Sequence, residues 1–194
     1  MGEKSIDRVL YVVRMLAFLF LFVGIGCTGS GVMNFKYAIP NLHFPYSTAS
    51  GIWTGLITLA IGLVGLCLCK KFDAADPAAT RCLAVAMYTL VIADITCGIL
   101  HVCYSAVGLN KCFEEVRTGY MTCNPEERPR LMLTEGFNLA FGSIIILLSV
   151  VFTVYLSVRG TLQRLTGATS GQGAPHSTCC YGHCNVYVNS VVVS

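Results

Sequence analysis

Asp94, Gly98, His101 and Ser105 recur at steps of four, three and four inside an otherwise apolar run, which places them on one helix face. Glu135, Asn138, Gly142 and Ser149 share a face in the last apolar run. An acid, an imidazole and a carboxamide in hydrocarbon have two uses. They can form interhelical hydrogen bonds that fix register, or they can line a cation or proton route, with Asp94 and Glu135 as its acids. The pattern favours the first use. No second carboxylate lies at the height of Asp94 and no apolar run is broken by proline, so a pore needs several subunits to gather its acids. Catalysis is not expected: no nucleophile–base pair, core-facing metal motif or phosphate-cradling glycine loop stands at a usable spacing. No catalytic residue, metal or cofactor is assigned.

These side chains need helices to hold them. At the centre of a span, Asp94 costs about 2.5–3.5 kcal/mol, and each Leu, Ile or Val around it returns about 0.3–0.6. That helix inserts only with its acid turned toward the bundle. At about 1.5 Å per residue, His101 and Asn138 reach similar heights and Glu135 lies nearer the surface. An antiparallel pair of the third and fourth runs then joins His101 to Glu135 or Asn138.

Composition agrees with a membrane setting. Of 194 residues, 55% are hydrophobic and only 12% charged, with a mean hydropathy of +0.67, whereas a soluble domain carries about 25% charge. Hydrophobic length divides the chain into residues 9–33, 50–69, 82–107 and 131–158 as TM1 to TM4. Residues 34–49 and 108–130 form outer loops, 70–81 an inner loop, 1–8 a short N-terminus and 159–194 a tail. The expected fold class is an all-α membrane protein: a four-transmembrane-helix bundle with short loops and a disordered C-terminal tail rich in Gly, Ser and Thr. In the inner loop, Asp76-Pro77 reads as an N-cap followed by proline at the first helical position.

The second run carries the strongest packing signal. Gly51, Gly55, Thr58, Gly62 and Gly65 recur at steps of four, three, four and three. A stripe without bulk lets another backbone come close, and close packing is what holds membrane helices together. The small second half of TM1, with Gly24, Gly26, Cys27, Thr28, Gly29, Ser30 and Gly31, is the expected partner.

Charge orients the chain. With both termini in the cytoplasm, the inner side holds Lys4, Arg8, Arg14, Lys70, Lys71, Arg81, Arg159 and Arg164, against Lys36, Lys111, Arg117, Arg128 and Arg130 outside. Of the eleven cysteines only Cys112 and Cys123 then lie outside, in the second outer loop. A disulfide between them is expected in an oxidising compartment and would constrain that loop by about 3 kcal/mol. Cys67, Cys69 and Cys82 stand at the inner face, and Cys179, Cys180 and Cys184 in the tail; all six are candidate acylation sites.

Gly51 to Leu63, G-I-W-T-G-L-I-T-L-A-I-G-L, resembles the second span of the membrane-spanning four-domain family, the group around the B-cell tetraspan antigen. Trp53, Gly55 and Gly62 match that family's pattern, and Thr58 and Ala60 fit it loosely. Cys112 and Cys123 resemble the disulfide of its second outer loop. Asp94 departs from the pattern. The resemblance covers residues 9–159. It implies a non-enzymatic four-pass protein of the plasma membrane or an endomembrane. Such a protein forms homo-oligomers, dimers foremost, and tunes the trafficking or signalling of a receptor or channel partner. The lipid bilayer is its medium, and no nucleic-acid partner is expected. The alternative from the polar face is a cation channel or channel subunit.

Overall fold

Backbone amides and carbonyls inside lipid find no water, so a crossing segment must bond to itself as helix or close into a barrel. This chain takes the helical route. A computed structural model describes residues 3–38, 49–74, 76–118 and 128–158. They form α1 (Glu3–Ala38), α2 (Ser50–Asp73), α3 (Pro77–Thr118) and α4 (Arg128–Val158). Within them Arg8–Tyr37, Ser50–Asp73, Ala78–Glu114 and Arg128–Ser157 are long and apolar enough to cross a membrane. The tail from residue 159 onward, with Cys179, Cys180 and Cys184, lies outside the described residues.

The helices overrun the hydrophobic limits expected of them. Hydropathy marks where hydrocarbon ends, but a helix stops only where its backbone is interrupted. Thus α1 runs past Met33 to Ala38 and takes Asn34 out of the expected loop and into the helix. Likewise α3 begins at Pro77 and ends at Thr118, so Cys112 is helical. The connection between α2 and α3 shrinks to residues 74–76. Asp76 caps α3: its Oδ1 accepts the Ala79 amide at 3.2 Å, and its carbonyl accepts the Thr80 hydroxyl at 2.7 Å. Pro77 sits where no amide donor is needed. The start of α2 is built differently. Ala49 adopts a left-handed conformation, φ 48°, and its carbonyl accepts from the amides of Ile52 and Trp53.

Each helix packs on its sequence neighbours, and α4 closes the ring against α1, while α2 and α4 barely meet across the diagonal. Contacts between neighbours run in opposite directions. Gly31 meets Gly51, Thr28 meets Gly55 and Ala17 meets Gly65, so α1 and α2 are antiparallel. Ser50, Thr58 and Gly65 of α2 face His101, Asp94 and Met87 of α3 in the same manner. One end of the bundle, the terminal end, therefore holds the start of α1 and the end of α4, and the other, distal end holds the ends of α1 and α3 and the starts of α2 and α4.

The glycine stripe is the α1–α2 seam. A Cβ placed on Gly51 would lie 3.0 Å from Gly31 Cα. On Gly55 it would lie 2.6 Å from the Thr28 amide nitrogen, and on Gly62 2.9 Å from the Ala17 carbonyl. Backbone touches backbone along this seam. All five stripe positions, Thr58 included, are buried within the chain. Arg14 and Asp73 join the same two helices at the terminal end, 3.1 Å apart and each more than half exposed, a geometry worth under about 1 kcal/mol.

The terminal half of the bundle is filled by apolar side chains, among them Val13, Phe20, Ile61, Leu68, Met87 and Phe152. Phe20 and Phe152 meet edge to face with ring centres 5.9 Å apart. Outward-facing positions are equally apolar, as at Phe18, Phe22, Leu63, Ile92, Leu147 and Val151.

Candidate functional site

The polar side chains of the distal half form two layers. The deeper one centres on Asp94, fully buried on α3. Thr58 of α2 donates its hydroxyl to Asp94 Oδ1 at 2.9 Å, and Ser149 of α4 donates to Oδ2 at 2.9 Å. One carboxyl thus ties three helices, and each oxygen has a donor. Thr58 reaches it because it interrupts the glycine stripe on the side facing α3. Interhelical hydrogen bonds of this kind contribute about 0.6 kcal/mol each.

The outer layer holds His101, Glu135 and Asn138, all buried. His101 Nδ1 lies 3.0 Å from the Ser50 hydroxyl, and Nε2 lies 3.7 Å from Cys27 Sγ. Ser30 donates to Asn138 Oδ1 at 2.6 Å. Asn34 Nδ2 donates to Glu135 Oε1 at 2.8 Å. His101 and Asn138 do come together, since a Cβ on Gly51 would sit 3.2 Å from both side chains. The side chain of His101 also bonds to α1 and α2, besides reaching the Asn138 backbone of α4 as the antiparallel pairing suggested. The reason is the close approach of α1 and α2. With no side chains on Gly31 and Gly51, the α1 face comes near enough to compete for the polar groups of α3 and α4.

Cys27, Ser30 and Asn34 make up that α1 face; the sequence reading took Cys27 and Ser30 as small packing residues and left Asn34 in the loop. Their steps of three and four continue one stripe, a signal hidden because Asn34 was placed beyond the helix end. Among the described residues, four buried side-chain atoms lack a hydrogen-bond partner: Thr28 Oγ1, Asn34 Oδ1, Arg128 Nε and Glu135 Oε2. A buried acceptor in that state costs about 1–3 kcal/mol. Two of the four belong to the bonded pair Asn34–Glu135.

The cysteines divide by environment. Cys112 is buried against Leu131, with Tyr37 and Met132 packed around it, and its carbonyl accepts from Arg128 at 3.1 Å. Cys123, its expected disulfide partner, lies outside the described residues. Cys67 is exposed and Cys82 half-buried at the terminal end. Cys69 is buried, with its thiol 3.9 Å from the Leu10 carbonyl. Among the described residues no group of three His, Cys, Asp or Glu side chains is arranged to hold a metal ion.

What this arrangement does chemically is bond helices to one another. The Cys27 thiol and Ser50 hydroxyl beside His101 serve that purpose across α1, α2 and α3, and the polar layers end at the apolar packing around Met87, Val91 and Phe152. Compared with known proteins, the chain matches no family model, no curated protein and no solved structure.

Proposed function

We propose that this chain is a non-enzymatic four-pass membrane protein that oligomerises and organises the trafficking or signalling of other membrane proteins. The reading rests on one observation. The polar side chains of the distal half bond to one another within the bundle, the terminal half is dry, and the outward surface is apolar along its length. Such a body has no work to do on a soluble substrate and much surface to offer to neighbouring helices. Its glycine stripe is occupied by α1, so oligomers form through lipid-facing positions. The resemblance to the membrane-spanning four-domain family belongs to this proposal. So do cytoplasmic termini, a Cys112–Cys123 disulfide, and acylation at the inner face, for which Cys67 and Cys82 are the accessible thiols and Cys69 is not.

A cation channel is the competing reading, favoured by Asp94 and Glu135 in the span region. Against it stands the apolar packing of the terminal half among the described residues. Purified protein in liposomes separates the two. The organiser reading expects no cation flux above protein-free liposomes, together with a detergent-stable oligomer and copurifying membrane partners after crosslinking in cells. Flux that disappears in Asp94→Asn would overturn it.

A further inference from the structure

The two partnerless acceptors Asn34 Oδ1 and Glu135 Oε2 are the free oxygens of a carboxamide and a carboxyl already joined by one N–H···O bond of 2.8 Å. Glu135 is 98% buried. Both atoms need a donor, and one hydrogen satisfies both. We propose that Asn34 and Glu135 form a buried proton-binding site, in which a proton held on Glu135 Oε2 donates to Asn34 Oδ1. The pair then makes two reciprocal hydrogen bonds, a closed ring of amide and carboxylic acid, across the α1–α4 seam. Exchanging the amide nitrogen and oxygen of Asn34 leaves the requirement intact, because two oxygens facing each other also need a proton between them.

Other occupants fit less well. A sodium ion seeks several oxygen ligands, and only two open acceptors are present here. No cation neutralises the carboxylate: no Lys, Arg or His among the described residues stands within salt-bridge distance of Glu135. From α3 the facing groups are His101, whose nitrogens are engaged by Ser50 and Cys27, and Ser105, whose hydroxyl reaches the Glu135 carboxyl, as does the Asn138 carboxamide of α4. From α1 it is Asn34 itself; Lys36, two residues further on and about half a turn round the helix, is exposed. From α2 Ser50 and Gly51 reach this layer, and neither carries a titratable side chain. On α4, Arg128 and Arg130 lie toward the distal end, where Arg128 bonds to the Cys112 carbonyl and Arg130 covers the ring of Tyr37.

The consequence is a pH-sensitive joint between the first and last helices, the seam that closes the ring. The folded bundle holds a proton that the unfolded chain releases at neutral pH. Stability is therefore full in acid and falls as pH rises through the titration of the site, by up to about tenfold in the folding equilibrium per pH unit. Unfolding of the full chain in detergent micelles, measured from about pH 5 to pH 9, tests this beside Glu135→Gln. Glutamine copies the protonated carboxyl, donating to Asn34 Oδ1 and accepting from Nδ2. The variant should fold, match the acid stability of the wild type, and lose most of its pH dependence. Infrared spectra should show a carboxylic-acid carbonyl band in the wild type that is missing in Glu135→Gln. Asn34→Asp, which sets two carboxyls to share one proton, should shift the stability loss to higher pH, because losing that proton would leave two facing carboxylates. A wild-type profile that is flat or rises with pH, a Glu135→Gln variant that does not fold, or an acid band unchanged by the substitution would overturn the proposal. So would stabilisation by sodium ions that Glu135→Gln abolishes, which would give the site to a metal ion.

Discussion

Placing a methyl group on Gly55 sets two opposing effects against each other, and the structure decides which wins. Alanine is favoured over glycine in a helix interior by about 1 kcal/mol. At Gly29, where an added Cβ would meet nothing within 4 Å, that gain stands alone. At Gly55 the Cβ would lie 2.6 Å from the Thr28 amide nitrogen and 2.9 Å from the Gly24 carbonyl oxygen. These are backbone atoms, which cannot swing aside. Ordinary contact begins near 3.5 Å, so α1 and α2 must part by about 1 Å. A gap of that size forfeits about a quarter to a half of each contact's 0.1–0.2 kcal/mol. Across the few dozen atom pairs of such a seam the loss is about 2 kcal/mol, within the range for overpacked cores. Gly55→Ala should therefore destabilise the protein by about 1 kcal/mol net, whereas Gly29→Ala should stabilise it by about 0.5–1. Reversible unfolding in mixed detergent micelles, followed by the fluorescence of Trp53, measures both. Equal stabilities, or a Gly55→Ala variant more stable than wild type, would refute the backbone-to-backbone seam.

Thr58→Val and Ser149→Ala should each cost about 0.6 kcal/mol. Combined, they should cost about 1–2 kcal/mol more than their sum, because the second removal leaves Asp94 buried with no donor; a double-mutant cycle in micelles reads this coupling, and additivity would count against the three-helix tie. Asp76→Ala should destabilise the start of α3 by about 1 kcal/mol through loss of the cap on Ala79, whereas Asp76→Asn should cost much less. Hydrogen exchange at the first turn of α3 distinguishes the two variants.

Helix number, the glycine stripe and the inward turn of Asp94 were legible in the sequence, because each depends on one segment's own composition and period. An acid in a run surrounded by hydrocarbon has to face other helices, whichever they are. Partner identity was not legible. Asp94 bonds to Thr58, which the glycine spacing had absorbed into a packing stripe, and to Ser149, which was read on the polar face of the fourth run but not paired with Asp94. Asn34 was lost to a boundary placed where hydropathy falls, although the helix continues as far as Ala38. The pairing of α1 with α4 joins residues about a hundred positions apart, and nothing local in either segment encodes it.

That ring closure is what turns four apolar helices into one bundle with its polar groups inside, and cysteines introduced at Ser30 and Asn138 examine it most directly. Their native side chains approach to 2.6 Å. With the other accessible thiols alkylated and a mild oxidant added to membranes, the account predicts a disulfide joining α1 to α4 within single chains, identified as linked peptides from a species of monomer mass. A crosslink found only between two chains, or none while both sites remain reactive, would contradict it.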